Sequence, residues 1–234
     1  MQKKVRGIII YTKISKENNL FIKFLSENDE IISGIVYGGS SSKNKALYQV
    51  GYYINFIIIK KNYNSPYSIK GEICSPYISL IIDDKYKLNC LMSIVSILNL
   101  SLIEGQKIKG IFLESEKMIN FLISTKNWLI FFIKFLFNLL KIIGYEIEYK
   151  KNIDHPFFDL ESIEFKKDQN NKTLIFPHKM LNNEEKVNYN STKQAFLLFE
   201  QIFQNNHLIN MNLKLPINFI KFKKLILDYL KYKK

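Results

Sequence analysis

The chain has 234 residues, 47% of them apolar, with 34 Lys and Arg against 21 Asp and Glu, for a formal net charge of +13. That length suits one large domain or two small ones and allows a sizeable buried core, which excludes a disulfide-stapled miniprotein. The charge favours polyanionic partners, either nucleic acid or an anionic membrane surface, although part of the lysine excess matches the abundance of Asn, Ile, Phe and Tyr that an A·T-rich coding sequence produces.

The N-terminal run Gly7 to Tyr11 is too short for the apolar core of a signal peptide. Val5 to Thr12 reads as a first strand. Leu20 to Leu25 and Ile31 to Val36 are two more, joined by a tight polar turn at Asn28-Asp29. A Gly-Ser loop follows, Gly38-Gly39-Ser40-Ser41-Ser42, read as flexible and leading into Lys43 and Lys45. Tyr48 to Lys60 is a long aromatic-rich strand that ends on Lys60-Lys61. Asn62-Tyr63-Asn64-Ser65-Pro66 is a turn signal, and Tyr67 to Cys74 supplies the last strand. Five short strands within residues 1–80 predict a small closed barrel, and the OB-fold is the common five-stranded one.

After residue 80 the apolar period changes to that of a helix. Asp83-Asp84 is a helix start, with Leu88, Leu91, Met92, Val95, Leu98 and Leu102 on one face of Lys85 to Glu104 and Gly105 as the stop. Ile108 to Ile123 is a second helix and Trp128 to Ile143 a third, closed by Gly144. The third is too short to span a bilayer and is interrupted by Lys134, Asn138 and Lys141, so it reads as a buried bundle helix. Residues 150–190 read as irregular and polar. Residues 192–206 and Ile217 to Lys233 complete the set, the last with Phe219, Phe222, Ile226 and Leu230 on one face and Lys221, Lys224 and Lys231 on the other. The predicted class is α+β: an OB-fold nucleic-acid-binding domain over 1–80, then an α-helical domain over 81–234 with an irregular insertion at about 150–190.

Residues with catalytic spacing are absent from the sequence. His155, His178 and His207 are far apart, there is no HExxH, GxSxG or Walker-type lysine loop, and the acidic pairs Asp83-Asp84 and Glu184-Glu185 fit helix starts. Cys74 and Cys90 have no metal or redox spacing, and two thiols leave a reducing compartment as the default. The expectation is therefore a non-enzymatic protein with no cofactor and no metal. Binding chemistry is better represented. Arg6, Lys13, Lys16, Lys23, Lys43, Lys45, Lys60 and Lys61 fall on predicted barrel strands or loops, interleaved with aromatics, and can neutralise phosphates by counterion release. Most of the tyrosines belong inside a barrel; Tyr37 and Tyr48, which border the Gly-Ser loop, are the candidates for stacking on unpaired bases.

These features resemble the RecO family of bacterial recombination mediators. Glu17, Phe24-Leu25-Ser26, Asn28-Asp29-Glu30, Ser33-Gly34 and Gly38-Gly39 follow that family's N-terminal pattern without a gap. Gly7-Ile8-Ile9, Gly71-Glu72 and Leu139-Leu140 with Gly144-Tyr145 are similar to its first strand, last barrel strand and core-helix end. The likeness covers roughly residues 5 to 149. It implies an N-terminal OB-fold, binding of single- and double-stranded DNA, strand annealing, and help in loading recombinase onto strands coated by single-strand-binding protein. It further implies RecR and the acidic C-terminal tail of single-strand-binding protein as partners, with a cytoplasmic, nucleoid-associated location and no membrane. Lys134 and Lys141, edging an apolar helix, are the expected contacts for such a tail. The chain departs from the family where Leu20 replaces a usual Arg, where Tyr37 and Ser40 to Ser42 stand in place of the usual loop Lys and Arg so that only Lys43 and Lys45 keep the charge, and where residues from Lys150 onward lack the cysteines of a zinc module found in many members. Three other readings stay open: a generic OB-fold module for single-stranded nucleic acid, including RNA; a peripheral membrane protein using the last helix; and a metal-dependent nuclease.

Overall fold

The computed structural model describes residues 2–60, 62, 65–75 and 77–232. Lys61, Tyr63, Asn64 and Lys233, named above, lie outside the described residues. The chain divides into two compact units, Met1–Glu116 and Lys117–Lys234. The division falls after Glu116, not near residue 80.

In the first unit β1 (Gln2–Ile14), β2 (Leu20–Ser26), β3 (Ile31–Val36), β4 (Tyr53–Ile59) and β5 (Tyr67–Ser75) form a closed barrel in the order β1-β2-β3-β5-β4. All pairs are antiparallel except β3 with β5, which closes the barrel in parallel through only two positions, Gly34↔Tyr67 and Ile35↔Ser68. This is the five-stranded OB-fold. Alternate residues fill the interior: Val5, Ile9, Ile22, Phe24, Ile54, Phe56, Ile58 and Ile69 are all buried, with the Phe24 and Phe56 rings stacked at 3.9 Å.

A β-bulge in β1 matters for everything on the outside of this barrel. Ile9 pairs with Phe24 and points inward, but Tyr11, not Ile10, pairs with Lys23. One extra residue in a two-residue period reverses the faces. The bulge therefore turns Tyr11 and Lys13 outward, where an unbroken register would have sent Tyr11 into the core.

The long strand expected from Tyr48 to Lys60 is shorter, because β4 begins at Tyr53. Gly51, at φ +90, breaks the extended chain. Tyr48 belongs to the preceding turn and drops into the barrel end. Helix α1 (Lys85–Ser101) packs on β1, which places it with the barrel; its N-cap is Asp84, whose carboxylate accepts from the N–H groups of Tyr86 and Lys87. Helix α2 (Ile111–Ser124) is capped from far away in sequence. Asp29, in the β2–β3 turn at φ +63, accepts from the N–H of Gly110 at 2.8 Å and of Phe112 at 3.0 Å. Replacing Asp29 with Ala strips two helix-start N–H groups of their acceptor. The expected loss is about 1–2 kcal/mol in chemical denaturation, with Asp29→Asn losing less.

In the second unit α3 (Trp128–Ile142), α5 (Tyr189–Ile202) and α6 (Ile217–Tyr232) bury a phenylalanine-rich core, with Phe132, Phe196 and Phe222 in mutual ring contact. Helix α5 continues into a π-helical turn, Phe203–Leu208. The stretch expected to be irregular contains β6 (Phe157–Asp159), β7 (Glu164–Lys166) and β8 (Thr173–Ile175), which make a small sheet, followed by the short helix α4 (His178–Leu181). Strands of three residues are too brief to set up a legible alternation. Their order comes from an aromatic cluster of Phe158, Phe165, Phe176 and His178.

The buried His178 donates from Nε2 to the carbonyl of His155 at 3.0 Å, and its Nδ1 has no partner among the described residues. Burial lowers its pKa, so the folded protein favours the neutral ring. The unfolded chain then binds the extra proton first, and stability is lost as pH falls below about 6.5. The thermal midpoint should drop between pH 7.5 and pH 5.5, and His178→Phe should make that drop shallower.

Candidate nucleic-acid interface

Two rows of side chains cross the outer face of β1, β2 and β3. Tyr11, Lys23 and Ser33 are in register, and so are Lys13, Phe21 and Ile35. The Tyr11 and Phe21 rings meet edge to face at 6.4 Å. Lys13 is exposed and Lys23 half-buried, so the patch pairs cations with aromatic surface. Such a combination holds phosphates and offers stacking at once.

The loops at one end extend it. Lys16 is exposed in the β1–β2 loop, where Glu17 and Asn18 both have φ +58 and make a tight reversal. That loop is tied to the Gly-Ser loop, since Gly38 N–H donates to Asn19 Oδ1 at 3.1 Å and Ser40 N–H donates to the Asn18 carbonyl at 3.0 Å. The Gly-Ser segment is wound, not open. Ser41, Asn44, Lys45 and Leu47 each donate a backbone N–H within it, and Asn44 Nδ2 donates to the Gly38 carbonyl. Lys43 and Lys45 are exposed on this wound loop, which stands beside Lys16 through those hydrogen bonds. Tyr37, at its start, is 59% exposed. Lys60, at the end of β4, holds its Nζ 5.2 Å from the centroid of the Tyr67 ring, across the β4–β5 loop.

Two of the expected contacts are placed differently. Tyr48 is 6% exposed, its ring in the barrel core and its hydroxyl accepting from Gly71 N–H at 3.1 Å, so it is a plug and not a stacking platform. Burial raises its pKa, as expected for an enclosed phenol. Arg6 faces outward but is engaged. Its guanidinium lies 3.0 Å from Glu116 and 3.8 Å from Glu27, over the Phe112 ring. Two carboxylates offset its charge, and its role is to hold the start of α2 on the barrel. Lys61 is outside the described residues.

On α3, Lys134 donates to Asn183 Oδ1 at 2.8 Å, and Lys141 pairs with Glu146 at 2.5 Å. Burial, with Lys150 nearby, lowers the Lys134 pKa. The apolar stripe of α6 that a membrane would need, Phe219, Phe222 and Ile226, is buried in the second unit. Among the described residues no helix is long and apolar enough to cross a membrane, and no group of three or more His, Cys, Asp and Glu is placed to hold a metal ion.

Sequence reasoning did not single out Tyr67 or Phe21. A usable signal existed for Tyr67, which opens the strand after the β4–β5 turn and so stands opposite Lys60.

Comparison with known proteins gives an independent result. The family model described as "Recombination protein O N terminal" matches residues 1–77. Proteins named DNA repair protein RecO from Rickettsia canadensis (strain McKiel), Rickettsia typhi (strain ATCC VR-144 / Wilmington) and Rickettsia akari (strain Hartford) are similar to this chain. They are 28%, 29% and 28% identical over 219 residues, covering 88% of this chain and 89%, 91% and 90% of their own.

Proposed function

This chain belongs to the RecO family, and we propose that it serves DNA repair and recombination as a binding protein that makes and breaks no covalent bonds. The proposed activity is to hold DNA, single strands above all, on the outer face of the barrel, to anneal complementary strands, and to help load recombinase onto strands coated by single-strand-binding protein. The observation that carries this is the register of β1, β2 and β3, which brings Lys13 and Lys23 together with Tyr11 and Phe21 on one outer surface. In OB-folds the β2–β3 face and the loops after β1 and β4 are where oligonucleotides bind. Lys16 and Lys60 belong to those loops. Lys43, Lys45 and Tyr37 extend the surface from the tethered Gly-Ser loop. RecR and the acidic tail of single-strand-binding protein are the proposed partners, the tail against Lys134 and Lys141, in the cytoplasm on the nucleoid.

Binding of a labelled single strand at increasing salt tests this reading. Log affinity should fall linearly with log salt, by about 0.7 per phosphate contact, and complementary strands should anneal faster with the protein present. Competition with RNA separates this reading from that of a generic single-strand binder. A salt-independent affinity, or no acceleration of annealing, contradicts it.

A further inference from the structure

Because β3 and β5 pair at only two positions, the barrel wall opens below that seam into a cavity of about 350 Å³. Lys3, Glu30, Ser33, Lys60, Tyr67 and Glu104 line it. Tyr67 is 37% exposed and lines the cavity, with Lys60 Nζ 5.2 Å from its ring centroid, so its ring is accessible there beside a cation. Ile31, Ile32 and Ile58 give the cavity an apolar wall, and its polar groups are paired: Ser33 Oγ donates to the Glu104 carboxylate, and Glu30 lies 3.7 Å from Lys3 Nζ. Each of these carboxylates has lone pairs to spare beyond those contacts. Gly105 lines the rim without a side chain to obstruct it.

We propose that this cavity receives one unpaired nucleobase, stacked on Tyr67 and read on its edge by Glu30 and Glu104. The inference rests on the proposed single-strand function and adds a base preference to it. Carboxylates accept from the exocyclic amino group of cytosine, whereas thymine presents an acceptor oxygen at the same edge, which two carboxylates repel. Lys3 and Lys60 stand at the cavity to neutralise the phosphates on either side of the bound base. A base held in a duplex stack cannot enter, so the site favours single strands.

The test compares (dC) and (dT) oligonucleotides of equal length against the full chain by fluorescence anisotropy at pH 7.5 and fixed salt. The chain should bind (dC) several-fold more tightly. Tyr67→Ala should lose about ten-fold in single-strand affinity with an unchanged salt slope, since stacking and not a phosphate contact is removed. Tyr67→Trp should restore it, and neither variant should alter duplex binding. The Glu30→Ala/Glu104→Ala double variant should bring the two oligonucleotides to the same affinity. Equal (dC) and (dT) affinity in the unaltered chain, or a Tyr67→Ala variant that binds normally, overturns the base pocket while leaving the cationic face intact. Failure of the unaltered chain to bind either strand overturns the proposed function itself.

Discussion

Gly34→Ala is expected to destabilise the barrel unit by about 2–3 kcal/mol and to lower its thermal midpoint by roughly 10 °C. Gly34 sits at one of the two positions that close β3 onto β5. A Cβ there would stand 2.5 Å from the Tyr67 carbonyl oxygen and 2.7 Å from the Ile69 side chain. The first obstacle is backbone in a paired strand and cannot swing aside, so the seam must spread. Gly38→Ala is the contrasting case. Nothing lies within 4 Å of a Cβ at Gly38, but its φ of +65 is left-handed, and the expected cost is only about 1 kcal/mol. A Gly34→Ala protein as stable as the unaltered chain would mean that the parallel seam does not close the barrel.

The second large effect is on binding. Replacing Lys13, Lys16 and Lys23 together with Ala should flatten the salt dependence of single-strand binding by about 2 log units per log unit, at about 0.7 for each lost phosphate contact. The same coefficient makes each contact worth about five-fold between 1 M and 0.1 M salt, so affinity at 0.1 M should fall about 100-fold. Among the described residues none of the three makes an ion pair like that of Arg6, and the folded state should survive. Arg6→Ala should do the reverse. With Glu27 and Glu116 already offsetting the guanidinium, the slope should barely change, while the loss of its ion pairs and its contact with Phe112 lowers stability. A triple variant with an unaltered slope would move the nucleic-acid contact elsewhere on the molecule.

Much of the fold was legible because short apolar, β-rich runs mark the strands and because glycines and carboxylates mark the ends of elements. Leu20 to Leu25, Ile31 to Val36, the Asp84 cap and the helix stop at Gly144 carry local signals, and the structure has them, whereas α1 ends at Ser101, before the expected stop at Gly105. What escaped is non-local. The bulge between Ile9 and Tyr11 reverses which residues face out, yet three consecutive isoleucines, Ile8 to Ile10, give no alternation to locate it. Asp29 reads as a turn residue, and its acceptor role for α2 depends on an N–H 83 positions away. Tyr48 borders a polar loop in sequence, and only the closed barrel shows that its ring fills the end of the core. Arg6 reads as a free cation because its carboxylate neighbours, Glu27 and Glu116, lie on other elements. The aromatic sheet of β6 to β8 was hidden by the brevity of its strands.

The most direct measurement is lysine acylation read by peptide mass spectrometry, with and without a saturating single strand. The account predicts that Lys13, Lys16, Lys23 and Lys60 lose reactivity several-fold on binding, while Lys224 on α6 reacts as before. Protection at Lys224 with the barrel lysines still reactive would contradict it.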